Sequence, residues 1–233
     1  MHQPSKRIFK VVSKKYELPN VVTLLLVSAD GISPVFIPGQ YINVFIPENN
    51  TPEGKSYSIS NIPGSKTITI TVKSIGEFSK FLCAMNVGDT LEASDPYGYF
   101  YSEQNDTALV FIAAGIGITP IMSMVKNILK ENPTRKISLH YSNAKVDSIL
   151  FKDELRELEE QNKNLKVIYY ITQEKNIRAE YKVGRIVPEN IQNDQDTEYL
   201  ICGSISFVRD MWDGLRKNGI KEEYIYTEAF FSH

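Results

Sequence analysis

"TALVFIAAGIGITPIMSMV", Thr107 to Val125, is a run of 19 residues without a charge in a chain of 233. Its length approaches that of a membrane-spanning helix. Its punctuation argues against one: Gly115, Gly117 and Pro120 stand in the middle, and no basic flank anchors an end. A buried strand, a tight glycine turn and a buried helix account for the run better. The residues beyond it continue that pattern. "KISLHYS", "LKVIYYIT" and "TEYLICGS" read as strands. "SILFKDELRELEEQNKN", with Phe151, Leu155 and Leu158 along one side, and "SFVRDMWDGLRKNG" read as helices. Strand and helix in alternation predict a doubly wound parallel sheet.

The residues before the run follow a different rhythm. "NVVTLLLVSA" and "PGQYINVFIP" are β-branched or aromatic stretches bounded by Pro, Gly and Asn, and "KTITITVK" alternates Ile68, Ile70 and Val72 with threonines. Turn signals recur at Asp30-Gly31, Pro38-Gly39, Pro63-Gly64 and Gly88-Asp89. Short strands spaced in this way predict a small antiparallel β-barrel. Only "GEFSKFLCAM" has helical spacing. The polar stretch "YSEQND" marks the expected boundary, with a barrel over 1–104 and an α/β domain over 105–233.

Composition narrows the function classes. A net charge of −2 gives no whole-molecule attraction to nucleic acid or to an anionic membrane. Two distant cysteines, Cys83 and Cys202, cannot build a four-cysteine cluster, and three scattered histidines lack metal-ligand spacing. No metal site is expected. A disulfide would need an oxidising compartment; no signal peptide precedes the sequence, so a cytoplasmic location is expected.

"AAGIGITP" falls where a doubly wound sheet binds ligands, beyond the carboxyl end of its first strand. The glycines permit positive φ and close approach of backbone to a ligand. Thr119 is expected as the helix N-cap with Pro120 at the first helical position, which would present free amides to a pyrophosphate. Pro120 occupies the third glycine position of G-x-G-x-x-G, and a tight turn in any α/β protein would look the same. Cys202 ends the fourth strand, where a cysteine is more often a small core residue than a functional one. Glu228, in "TEAFFSH", would alone be a surface carboxylate. "GKSYSISNIP", Gly54 to Pro63, places Lys55 and Tyr57 among three serines, more small hydroxyls than a plain surface strand needs.

Together these stretches resemble the ferredoxin–NADP reductase family of flavoenzymes, over nearly the whole chain and in order. "FIPGQYINVFIP" is similar to the family's Pro-Gly-Gln-Tyr strand, "KSYSIS" to its R-x-Y-S flavin motif and "GEFSKFL" to its G-x-x-S pyrophosphate helix. "GDTLEASDPYGYF" resembles the strand ending in Pro-x-Gly-x-Phe, and "AAGIGITPIMSMV" the nicotinamide loop. "SILFKDEL" resembles the helix after the second strand; "CGSISFV" and "TEAF" resemble the two closing motifs.

The resemblance implies FAD, or FMN, in the barrel and NADH or NADPH as co-substrate. It assigns Lys55, Ser56, Tyr57, Ser58, Gly76, Phe78 and Ser79 to the flavin. Tyr57 would pack on the ring, Ser58 would lie near N5, and Lys55, where the family usually has arginine, would meet the diphosphate without a bidentate fork. It assigns Gly115, Gly117, Ile118, Thr119, Pro120, Cys202 and Gly203 to the dinucleotide. Cys202 and Glu228 would flank the nicotinamide, with Ser58, the catalytic set. Phe230 or Phe231 would cover the flavin. No plant-type cysteine cluster is present, so electrons would pass to a separate ferredoxin-like or oxygenase protein, or leave on free flavin used as substrate. An electron-transfer or flavin-sensing subunit is the non-enzyme alternative. "YSNAKVDS" offers Ser142 and Lys145 for a 2′-phosphate and Asp147 for a free ribose, and Arg178 and Arg185 could reach in, which leaves the choice of nucleotide open.

Overall fold

The alternation of Ile68, Ile70 and Val72 with threonines builds a strand with one buried face. All three are fully buried on β5 (Thr67–Lys73). The computed structural model describes residues 6–46, 54–104, 106–194 and 196–230. Within these, β5 pairs with β2 (Val21–Ser28), which pairs with the long β1 (Lys6–Leu18). β3 (Tyr41–Phe45), β4 (Lys55–Ser58) and β6 (Thr90–Ser94) complete an antiparallel sheet in the order β4-β3-β6-β1-β2-β5. Its two edges meet through an Ile59–Ile70 bridge and the Ser60 amide on the Thr69 carbonyl at 3.0 Å, so the sheet closes as a barrel. α1 (Glu77–Ala84) packs Phe78 and Leu82 into the barrel core. Truncating Leu82 to alanine there would cost about 2–5 kcal/mol.

The uncharged run divides as its glycines foretell, into β7 (Ala108–Ala114), a 3₁₀ turn over Gly115–Gly117 and α2 (Ile118–Glu131). No helix among the described residues is long and apolar enough to cross a membrane. β8 (Ile137–Asn143), α3 (Lys152–Gln161), β9 (Leu165–Ile171), β11 (Thr197–Ser204) and α4 (Ile205–Lys217) follow where strand and helix alternate. Two further strands, β10 (Tyr181–Val183) and β12 (Ile225–Phe230), extend the edges. The sheet is parallel, in the order β10-β9-β8-β7-β11-β12. The chain runs outward from β7 to β10 and returns to β11, which puts the switch point between β7 and β11.

The described chain forms two compact units, the first ending at Tyr99 and the second beginning at Phe100, with Met122–Asn127 of α2 grouped with the first. A buried ion pair fastens the amino edge of the parallel sheet. Fully buried Glu198 lies 3.5 Å from Arg135 and accepts from Thr107 at 3.2 Å, from Tyr226 at 2.9 Å and from Ser102.

Candidate functional site

In the barrel, the period of β4 sends Lys55 and Tyr57 to one face, and the first turn of α1 brings Phe78 to both. The Tyr57 and Phe78 rings stack at 6.3 Å with 20° between their planes, and Lys55 Nζ stands 5.8 Å from the centre of the Phe78 ring. Burial, with Cys83 nearby, pushes the Tyr57 phenol well above its ordinary pKa, so the hydroxyl stays neutral. A cation, an aromatic platform and the first amides of α1 therefore converge, a donor set suited to a planar ring carrying a phosphate.

The other residues assigned to the flavin have internal partners. Ser79 Oγ accepts from the amides of Ile75 at 2.9 Å and Gly76 at 3.0 Å, and donates to the Gly76 carbonyl at 2.9 Å. Its hydroxyl orders the loop, and the start of α1 presents backbone. Ser56 donates to Asn43 Oδ1 at 2.7 Å, away from the Tyr57 face. Ser58 is buried at the end of β4, paired in register with Tyr41.

Tyr41, the tyrosine of "PGQY", is a further candidate. Its ring lies 4.5 Å from that of Tyr97. A Cβ on Gly98, at φ +120°, would come within 2.9 Å of the Tyr41 ring, which explains the glycine of "DPYGYF". An aromatic on a strand usually signals core packing, so only the motif around it could have marked Tyr41.

The α/β unit is built from bare backbone. A Cβ on Gly117 would lie 2.6 Å from the Cys202 carbonyl carbon and 2.9 Å from the Gly203 nitrogen, so the turn after β7 rests directly on the end of β11. A Cβ on Gly203 would meet Phe207 at 2.7 Å and Ala114 at 3.1 Å. Gly115, at φ +54°, has open space where a side chain would stand. The buried Tyr141 hydroxyl donates to the Gly115 carbonyl at 3.0 Å and holds the turn from beneath.

One local expectation is corrected. Thr119 is not the N-cap and Pro120 is not the first helical residue. Gly117 takes helical angles (φ −60°, ψ −6°) and α2 begins at Ile118. The 3₁₀ turn already carries the chain into the helix, so the Thr119 hydroxyl donates backward to the Ile116 carbonyl at 3.0 Å. Ile118, Thr119 and Pro120 are all buried.

Cys202 pairs in register with Ala113 on one side and Glu228 on the other, at the carboxyl edge of the sheet. Burial first, and Glu228 second, raise its pKa far above the ordinary thiol value; it is an uncharged thiol, not a nucleophilic thiolate. Phe230 pairs with Ser204 and is half-buried. Phe231 lies outside the described residues. Among the described residues no cluster of histidine, cysteine or carboxylate could hold a metal.

The fold is that of solved FAD- and NAD(P)-binding reductases. Residues 111–213 match the family model of the oxidoreductase NAD-binding domain, and the chain as a whole has the fold of a solved ferredoxin NADP+ reductase. A flavohemoprotein of Chromobacterium violaceum is 30% identical over 247 residues, covering 97% of this chain and 61% of that protein. The chain thus spans about three-fifths of the length of the curated relatives it matches. A flavohemoglobin of Malassezia yamatoensis with bound FAD and heme is 26% identical, with a TM-score of 0.84 over 97% of this chain and 60% of that one. A ferredoxin NADP+ reductase of Neisseria gonorrhoeae with bound FAD and NADP is 20% identical, with a TM-score of 0.81 over 98% of this chain and all of that one. The expected two-domain fold, an antiparallel barrel followed by a doubly wound parallel sheet, is borne out.

Proposed function

We propose that the chain is a flavoprotein reductase that keeps FAD in its barrel, takes reducing equivalents from NAD(P)H and passes electrons to a separate acceptor protein. The observation that carries this reading is the Tyr57–Phe78 stack with Lys55 at the start of α1. When bound, flavin and nicotinamide supply the chemistry, a hydride transfer followed by one- or two-electron release. The protein supplies orientation and charge. Tyr57 covers the ring, Lys55 and the first amides of α1 neutralise the diphosphate, and Ser58 is the hydroxyl assigned to N5. The bare backbone at Gly115, Gly117 and Gly203 receives the dinucleotide. Cys202 shapes the nicotinamide pocket as a neutral thiol, and Glu228 places a carboxylate abreast of it. Phe230 is the cover assigned to the flavin.

Free flavin as substrate is the second reading. It is favoured by Lys55 in place of an arginine fork and by the inward turn of the Ser79 hydroxyl, both of which loosen the hold on a diphosphate. Anaerobic oxidation of NADH or NADPH with ferricyanide as acceptor, with and without added FAD, separates the two. Turnover by the purified protein alone supports bound FAD. Turnover that rises in proportion to micromolar added flavin supports flavin as substrate, and no turnover in either case contradicts both.

A further inference from the structure

In a dinucleotide fold of this kind, the end of the strand following the glycine turn meets the adenosine ribose. An acidic residue there suits a free 2′-hydroxyl, and an arginine suits a 2′-phosphate. That strand is β8, and its last residue, Asn143, is an amide only 5% exposed. Asn143 is packed inward beside Tyr141 and offers the ribose no charge.

The carboxylate comes instead from the next strand. Just beyond β9, Glu174 reaches across and its Oε2 accepts from the Val146 amide at 2.8 Å, at the start of the 3₁₀ turn Val146–Ser148 that follows β8. The same two loops are joined by the Thr172 amide on the Asn143 carbonyl at 3.0 Å and the Gln173 amide on the Ala144 carbonyl at 2.9 Å. Glu174 is thus fastened where the acidic residue of a dinucleotide fold is expected, with Oε1 left to accept. Lys145, Lys175 and Arg178 lie on these loops as well, all exposed. Their long side chains would have to be ordered before they could serve a phosphate, whereas the carboxylate is already fixed.

We infer that the chain selects NADH over NADPH, and that Glu174 is the residue that selects. Oε1 accepts from the ribose 2′-hydroxyl of NADH, while the 2′-phosphate of NADPH brings negative charge against a held carboxylate. This rests on the dinucleotide-binding role proposed above, and the experiment separates the two. Calorimetry with ADP-ribose and with 2′-phospho-ADP-ribose needs no flavin and no electron transfer. We expect ADP-ribose to bind wild type at least about tenfold more tightly, and kcat/KM to favour NADH by a similar factor. Glu174→Gln, which can still accept from Val146, narrows both ratios to within about threefold, and Glu174→Arg reverses them. Equal or tighter binding of the 2′-phosphorylated ligand by wild type overturns the inference, as does an unchanged ratio in Glu174→Gln. If neither ligand binds, the dinucleotide reading fails and the inference with it. If ADP-ribose is preferred and Glu174→Gln narrows the ratio but no electrons flow, selection by Glu174 stands and the reductase reading falls.

Discussion

The barrel makes its candidate site from side chains, whereas the α/β unit makes its own by leaving side chains out. Tyr57, Phe78 and Lys55 form a platform whose removal leaves a hole. At Gly117 and Gly203 an added methyl group would collide with neighbouring backbone or ring atoms. A flat, apolar flavin ring needs surface to lie on; a pyrophosphate needs amides it can approach. The two halves should therefore fail in opposite ways, one when atoms are removed and the other when they are added.

The largest effect is expected at Gly117. Gly117→Ala forces a Cβ against the Cys202–Gly203 peptide, which cannot swing aside like a side chain. Its kcat/KM for NADH should fall by about a hundredfold or more, roughly 2.7 kcal/mol, while flavin content stays at the wild-type level. Loss of flavin together with activity would mean that the two cradles are not separable.

A pH titration addresses the α/β half alone. Burial first, then Lys182 and Lys166, lower the His140 pKa from 6.5 to about 4 in the folded protein. Between these values the unfolded chain binds more protons, so stability is full above about pH 6.5 and declines as the pH falls toward 4. The difference of about 2.5 units corresponds to at most about 3 kcal/mol. Trp212, the single tryptophan, lies on α4 and reports unfolding of this half by fluorescence. His140→Gln should flatten the slope across that window; an unchanged slope would assign the acid sensitivity to carboxylates instead.

Tyr57→Ala tests the opposite half. Removal of the stacked ring should weaken FAD binding by about ten- to thirtyfold, or 1.4–2 kcal/mol, measured by fluorescence titration of the apoprotein. ADP-ribose binding should be unchanged. The smallest effect is expected at Tyr141→Phe, which removes one hydrogen bond to the Gly115 carbonyl. KM for the nicotinamide substrate should rise about fivefold, near 1 kcal/mol, with kcat held; a drop in kcat alone would contradict a role in placing the turn.

Much of this contrast is visible in the sequence, but unevenly. Ile68, Ile70 and Val72 betray their strand because burial on one face imposes a period of two, and the glycines of "AAGIGITP" betray a turn because few other residues tolerate it. β10 and β12 escape notice: three residues carry too little pattern, and "IYTEAF" mixes exposed and half-buried positions at a sheet edge. Thr-Pro is a strong local signal for the start of α2, and it is overridden here by the close packing of Gly117 on β11. Tyr41, Tyr141 and Glu174 act through partners 17 to 57 residues away, Ser58, Gly98, Gly115 and Val146. No local spacing encodes contacts of that range; the fold must bring them together first.

The central claim, that the barrel holds flavin as a resident group, is tested most directly by the visible absorption spectrum of the protein purified without added flavin. The account predicts a flavin spectrum at about one equivalent per chain, bleached anaerobically by NADH. A colourless protein that fails to acquire that spectrum on incubation with FAD would contradict it.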